Sequence, residues 1–217
     1  MKGSGARHRS AGPMPFTLAI NAGGRSRRMG RDKALVELAG RPMLEHVIER
    51  VSGLGQAQTL LVSNDHALHA RFGLPMVVDS LPDAGSLGGI YTALMHSQNG
   101  HTLVVACDMP FLSVALLRHM LALREEGEYD VIVPRVKGYP QGLHAVYGQA
   151  CIAPIRAQIE AGRLKVIGFY DQVRVRYLDE DEWKPLDPTG RALNNVNTPE
   201  DLSAATDVIR TWEMHDR

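Results

Sequence analysis

The chain has little of what would force an unusual architecture or compartment. Its 217 residues include only two cysteines, Cys107 and Cys151. Two thiols cannot build a disulfide framework or a four-ligand zinc site, so both are read as buried free thiols in a reducing cytoplasm. An excess of one charge is also missing, because 24 Lys and Arg balance 24 Asp and Glu. No global field draws the protein to nucleic acid or anionic lipid, and any anion binding must be local. No apolar run approaches membrane-spanning length, and residues 1–15 are basic, with Gly, Ser and Pro but no signal-peptide-like apolar stretch. Neither nucleic acid nor membrane is an expected partner. Internal repeats and low-complexity blocks are absent too. Residues 1–15 are expected to form a disordered extension, and residues 16–217 a single domain of ordinary globular composition (44% hydrophobic, 22% charged).

What is present is an alternation of strand and helix signals. Phe16, Leu18 and Ile20 suit a first strand, and Met43, Leu44, Val47, Ile48, Val51 and Leu54 recur at helical spacing. Further strands are expected at 59–63, 76–79, 102–107, 130–134 and 143–147, and an alternating one at Val173, Val175 and Tyr177. A Gly-rich turn at 85–89 opens a helix carrying Ile90, Ala93 and Leu94, and helices follow at about 113–124 and 151–161. A second apolar stretch spans 166–170. Thr198 suits the N-cap of a last helix, with Pro199 at its first position and Glu200 and Asp201 in its first turn. Such alternation predicts an α/β fold, a mostly parallel sheet with helices on both faces. Ligands then bind beyond the carboxyl ends of the strands, which places Asn21 to Gly24, Asn64, Asp79 and Asp108 on one functional edge.

The richest chemistry lies in F-T-L-A-I-N-A-G-G-R-S-R-R-M-G-R-D-K, residues 16–33. A strand runs into Gly23 and Gly24, which allow close backbone approach to a ligand, and Arg25, Arg27, Arg28 and Lys33 add phosphate-seeking charge. The loop is neither a Walker A nor a dinucleotide fingerprint, because Lys33 has no following Ser or Thr and Gly-x-Gly-x-x-Gly is absent. A polyphosphate is the natural guest.

Asp108 follows the apolar run V-V-A-C and precedes Met109-Pro110, a position from which a carboxylate at a strand tip can reach Mg²⁺. The same position also suits an Asp in a helix-preceding turn. Asn195 and Asn197 point to one side of an extended segment and could ligate metal or orient phosphate and ribose, though Asn-rich turns before helices are common. Gly88 and Gly89 lack the side chains that would keep a base or ribose off the backbone. The histidines, including 46, 66, 69, 96, 101, 119 and 144, read as surface residues rather than metal ligands. Cys107 reads as inert, and no catalytic Ser/His/Asp set emerges. Arg135, Lys137 and Lys165 could meet an anionic group, with solvated surface charge the plainer reading.

Residues 21–35, N-A-G-G-R-S-R-R-M-G-R-D-K-A-L, closely resemble the signature L-A-G-G-x-S-x-R-M-G-x-D-K-A-L of the MobA-type molybdenum cofactor guanylyltransferases. The similarity continues through Gly40-Arg41-Pro42-Met43-Leu44, Asp79-Ser80, Leu87-Gly88-Gly89-Ile90, Cys107-Asp108-Met109-Pro110-Phe111 and 195–202. This resemblance implies a Rossmann-like nucleotidyltransferase fold and Mg²⁺-dependent transfer of GMP from GTP to molybdopterin, with release of pyrophosphate. It implies that Asn21, Ala22 and Gly23, with Gly24 and Gly88, hold the nucleotide, and that Lys33 and Arg28 act on its phosphates. Asn64 and Asp79 would meet base or ribose, Asp108 the metal, and Asn195 and Asn197 would complete the site. A monomer that docks with other proteins of the cofactor pathway and with recipient oxidoreductases is expected. Asn21 departs from the usual Leu, and Ser86 stands where the family often has Pro. The rivals are a cytidylyltransferase of the same fold, disfavoured by Gly24 and Asp32, and a non-catalytic nucleotide-binding module, disfavoured by intact Lys33, Asp108 and Asn197.

Overall fold

A strand that is apolar at every position must be covered on both faces, and the sheet of this protein is built that way. In a computed structural model, residues 14–23, 32–81 and 83–215 are described. The chain runs β1 (Thr17–Asn21), β2 (Glu37–Leu38), β3 (Arg41–Pro42), α1 (Met43–Val51), β4 (Gln58–Val62), α2 (His66–His69), β5 (Met76–Val77) and α3 (Gly85–His96). It continues with β6 (His101–Ala106), α4 (Val114–Glu126), β7 (Val131–Val136), β8 (Tyr139–Pro140), β9 (His144–Gly148), α5 (Ile152–Glu160), β10 (Val175–Leu178), α6 (Glu180–Trp183) and α7 (Pro199–His215).

The main sheet has the order β10-β7-β9-β6-β1-β4-β5, with β8 paired to β7. β1 pairs in parallel with β4 and β6, as do β4 with β5 and β7 with β10; β9 alone runs antiparallel to both neighbours. Side chains alternate across it. Leu18, Ile20, Leu103 and Val105 pack with Leu44 and Val47 of α1 and Leu116 and Met120 of α4. Ala19 and Val104, one residue out of phase, pack with Leu87 and Ile90 of α3 and Ile155 of α5 on the other face. This is the expected mostly parallel α/β arrangement.

A third, smaller apolar cluster matters more for function. Val36, Leu38 and Met43 meet Phe111, Val196, Ala205 and Ile209, which ties the segment after Lys33, the segment after Asp108 and the start of α7 into one packed unit. The last helix begins as expected: Thr198 Oγ1 accepts from the Asp201 amide at 3.1 Å, and Asp201 Oδ2 accepts in return from the Thr198 and Asn197 amides at 2.9 and 3.0 Å. That reciprocal cap fixes the backbone of Asn197.

Two local expectations are corrected, and one apolar stretch that had no element assigned gains its form. Residues 85–89 are the first turns of α3 rather than a turn before it, because Leu87, Ile90 and Leu94 bury at helical spacing on the sheet and hold the glycines in helix. The apolar stretch 166–170 forms turns running into a short 3₁₀ segment, Tyr170–Gln172, and its Phe169 and Tyr170 bury against Tyr147. His46, His69 and His144 are buried rather than exposed; His46 Nε2 donates to the Leu38 carbonyl at 2.8 Å, which helps anchor the β2–β3 hairpin.

Candidate active site

The carboxyl ends of β1 and β6 lie side by side, and the chain leaves both at one edge. The Cys107 amide donates to the Asn21 carbonyl at 3.1 Å, and the Ala22 amide to the Val62 carbonyl at 3.0 Å, so the first residues beyond the strands still follow the sheet. Asp108 comes next, with its side chain 11% exposed. Its Oδ2 accepts from Lys33 Nζ at 2.9 Å, and its Oδ1 accepts from Asn195 Nδ2 at 2.8 Å. Lys33 Nζ also donates to Asn197 Oδ1, and the Val196 amide donates to the Asp108 carbonyl at 2.9 Å. Four residues read separately from the sequence thus form one hydrogen-bonded group.

A second group lies on the β1–β4 side. Asn21 Oδ1 accepts from the Gly23 amide at 3.1 Å and so fixes the turn out of β1. Asn21 is 4% exposed, and its amide group lies against α3. The carboxamide adds a bond to the loop where the family signature has Leu. Asn64 Oδ1 accepts from the Asp79 amide at 2.9 Å, and Asp79 Oδ1 accepts from Thr92 Oγ1 and the Leu81 amide, both at 3.0 Å. Asp79 Oδ2 faces Gly88, where an added Cβ would come within 3.0 Å of it.

Gly89 is tighter still, because a Cβ there would meet Asn21 Nδ2 at 2.5 Å and Cγ at 2.8 Å. Gly89→Ala is therefore expected to turn Asn21 away from Gly23, cost about 1–3 kcal/mol of stability and raise the KM for nucleotide. Urea denaturation and nucleotide kinetics test this, and an unchanged midpoint together with an unchanged KM would refute it. Gly24 and Arg28 lie outside the described residues.

The sequence reading missed the support behind Lys33. Asp32 caps the short 3₁₀ turn Lys33–Leu35, its Oδ1 accepting from the Ala34 amide at 2.9 Å. Its Oδ2 lies 3.3 Å from Nε2 of His69. His69 Nδ1 in turn lies 2.6 Å from Ser63 Oγ at the end of β4. Burial works to raise the Asp32 carboxyl, but His69 and the Ala34 amide hold it below the usual carboxylate range. The only sequence signal was a His three residues after another, which looks the same on a solvated helix. Cys107, by contrast, is as expected: burial pushes its thiol far up, so it is inert.

Among the described residues no group of three or more His, Cys, Asp and Glu side chains is arranged to hold a metal. Magnesium does not need one, since it takes one or two carboxylates and completes its shell with water and phosphate oxygens. Asp108 Oδ2 and Asn197 Oδ1 already converge on one cation, the Lys33 ammonium. Hard oxygen donors directed at a single positive centre fit Mg²⁺ accompanied by a triphosphate.

A lysine bonded to a strand-tip carboxylate at the carboxyl edge of a mostly parallel sheet suits phosphate chemistry, and the α/β nucleotidyltransferases are proteins of this kind. Residues 18–174 match the MobA-like NTP transferase domain, and the chain belongs to that family. A probable molybdenum cofactor guanylyltransferase of Pelotomaculum thermopropionicum is 43% identical over 192 residues, covering 87% of this chain and 91% of that one. The molybdenum cofactor guanylyltransferase of Desulfosudis oleivorans is 32% identical over 199 residues, covering 91% and 98%. The crystal structure of molybdopterin-guanine dinucleotide biosynthesis protein A from Archaeoglobus fulgidus superposes with a TM-score of 0.80 at 29% identity, covering 90% of this chain and 99% of that one.

Proposed function

We propose that the protein transfers GMP from GTP to the terminal phosphate of molybdopterin, forming the guanine dinucleotide cofactor and releasing pyrophosphate. The observation that carries this reading is the Lys33–Asp108–Asn195–Asn197 group at the carboxyl edge, in a chain of this family. An oxygen of the acceptor phosphate attacks the α-phosphorus of GTP in line. The new O–P bond forms as the bond from the α-phosphorus to its bridging oxygen breaks, and pyrophosphate leaves with that electron pair. A phosphate monoester has its second pKa near about 6, so the nucleophile is already largely dianionic and needs no general base.

Lys33 stabilises the charge that grows on the leaving pyrophosphate, its ammonium turning to the phosphates where the Asp108 and Asn197 oxygens that hold it here would take the metal. Asp108 and Asn197 would hold Mg²⁺, which when bound would neutralise phosphate charge and polarise the reacting oxygens. Asn195 orients Asp108 through its 2.8 Å bond. Gly23 leaves backbone at the end of β1 open to the nucleotide, and Asn64 and Asp79 would shape its ribose and base side, whereas the side-chain space at Gly88 is taken up by Asp79 and Ala84 rather than by a ligand.

The test is pyrophosphate release from the protein with Mg²⁺, molybdopterin and either GTP or CTP. Turnover with GTP is expected. Turnover with CTP alone would make the chain a cytidylyltransferase, and nucleotide binding without pyrophosphate would make it a binding module.

A further inference from the structure

Lys33 carries its ammonium at the end of a flexible four-carbon stem, so where that charge can go depends on where its backbone is rooted. Its tip is held here by Asp108 and Asn197. Both bonds are given up when the ammonium turns to the phosphates, and the root then sets its position. That root is the 3₁₀ turn Lys33–Leu35. Its C-terminal side is fixed by packing, with Ala34 fully buried in the main core and the Val36 amide donating to the Lys33 carbonyl at 3.2 Å. On its N-terminal side, among the described residues, Asp32 holds it. Asp32 Oδ1 accepts from the Ala34 amide at 2.9 Å, and the Asp32 carbonyl accepts from the Leu35 amide at 3.1 Å.

A capping carboxylate is steadier when its second oxygen is also engaged. Asp32 Oδ2 faces Nε2 of His69 at 3.3 Å. His69 is itself well anchored. It closes α2, where its amide donates to the Asp65 carbonyl at 3.2 Å and Asp65 Oδ1 accepts from the Leu68 amide at 3.1 Å. Its ring lies against Phe72, with centroids 6.1 Å apart, and its Nδ1 is 2.6 Å from Ser63 Oγ. Ser63 follows β4 directly, and its amide donates to the Val77 carbonyl of β5 at 3.0 Å. The root of Lys33 is thereby tied to the sheet on the β4 side, while its tip meets Asp108 beyond β6.

The hydrogen positions follow from the partners. Ser63 Oγ already accepts from the Asp65 amide at 3.0 Å, which leaves its hydroxyl hydrogen to donate to Nδ1. A neutral ring that accepts at Nδ1 carries its hydrogen on Nε2, and the opposite tautomer would aim a lone pair at the carboxylate. Nε2 is buried without a hydrogen bond of good geometry among the described residues, so the Asp32 charge is what offsets its desolvation. An apolar side chain would fill this space without burying two ring nitrogens, and a histidine is a costly choice for packing alone. The three residue types are those of a hydrolytic triad, but Ser63 and His69 are each 1% exposed, so no substrate reaches the hydroxyl.

We propose that His69 is a positioning residue for Lys33: by holding Asp32 it fixes the turn from which the ammonium reaches the phosphates. This assignment rests on the nucleotidyl-transfer reading, which gives Lys33 its role.

His69→Leu, alone and combined with Lys33→Ala, tests it. On its own the change is expected to lower kcat about tenfold and to raise the Kd for GTP with Mg²⁺, read by calorimetry, about threefold to tenfold, the scale of a slightly misplaced catalytic group. His69→Gln, whose amide nitrogen can bring a hydrogen to the place of Nε2, keeps kcat within about threefold of wild type. In the Lys33→Ala background, His69→Leu leaves both kcat and Kd where Lys33→Ala had put them, because the group it positions is gone. A residue that only supported the fold would cost both backgrounds alike. Equal losses in the two backgrounds, or wild-type kcat and Kd in His69→Leu, overturn the assignment. Ser63→Ala removes only the hydroxyl that orients the ring and is expected to lower kcat about threefold with the same dependence on Lys33, which decides the matter if His69→Leu does not fold. If wild type releases no pyrophosphate, the transfer reading fails, while a GTP Kd that depends on His69 only when Lys33 is present still upholds the positioning.

Discussion

Asp108→Ala is expected to lower turnover by at least about a thousandfold, because it removes the carboxylate proposed to hold Mg²⁺ against the triphosphate. The same change leaves Lys33 without the oxygen 2.9 Å from its ammonium and Asn195 without its acceptor at 2.8 Å, so the whole group loses its centre. Two effects are folded into that loss, and Asp108→Asn divides them. The amide keeps the volume and can still accept from Asn195, but it carries no charge. If charge is what matters, the Asn variant is nearly as inactive as Ala while retaining more stability. Pyrophosphate release measures the first quantity and urea denaturation the second. Near-normal turnover in Asp108→Ala would remove Asp108 from the chemistry altogether.

Lys33→Ala carries the second largest expected effect, about a hundredfold to a thousandfold in kcat/KM, which corresponds to about 3–4 kcal/mol of transition-state stabilisation. Lys33 bridges Asp108 and Asn197, whose side chains belong to segments 75 and 164 residues further along the chain. Its removal leaves a carboxylate that is only 11% exposed without the cation it pairs with among the described residues. Breaking a shielded pair from one side is costly, since the remaining charge keeps its desolvation penalty and loses its partner. The double variant Lys33→Ala, Asp108→Asn should therefore be more stable than Lys33→Ala alone while remaining inactive. Lys33→Arg is not expected to rescue turnover, because a planar fork cannot replace a compact ammonium between two oxygens. Wild-type kinetics in Lys33→Ala would sink the assignment of leaving-group stabilisation to this residue.

Some of this architecture was legible without coordinates, and the legible parts share a property. The buried strand at 102–107 declared itself through an unbroken apolar run, and the start of α7 through Thr198, Pro199 and Asp201, because each depends on forces acting within a few residues. Where a local signal admitted two structures, packing chose between them. Gly88 and Gly89 read as turn residues, yet Leu87, Ile90 and Leu94 drew them into a helix whose missing side chains leave space for Asn21 and Asp79. Two-residue strands such as β2, β3 and β8 carry no periodicity at all, and so left no trace in the pattern.

The sequence by itself determined the alternation of strands and helices, the two-sided core and the identity of the residues that can bear charge at the strand ends. Only the tertiary structure decided which of those residues meet. Strand order placed the ends of β1 and β6 together, and the small cluster of Val36, Leu38, Phe111, Val196 and Ile209 drew Lys33, Asp108 and Asn197 into contact. It also turned His69 inward to Asp32. The physical reason is range. Backbone hydrogen bonding and side-chain periodicity act over a few residues and can be read along the chain. The meeting of distant side chains depends on how whole layers pack, which no short window of sequence contains.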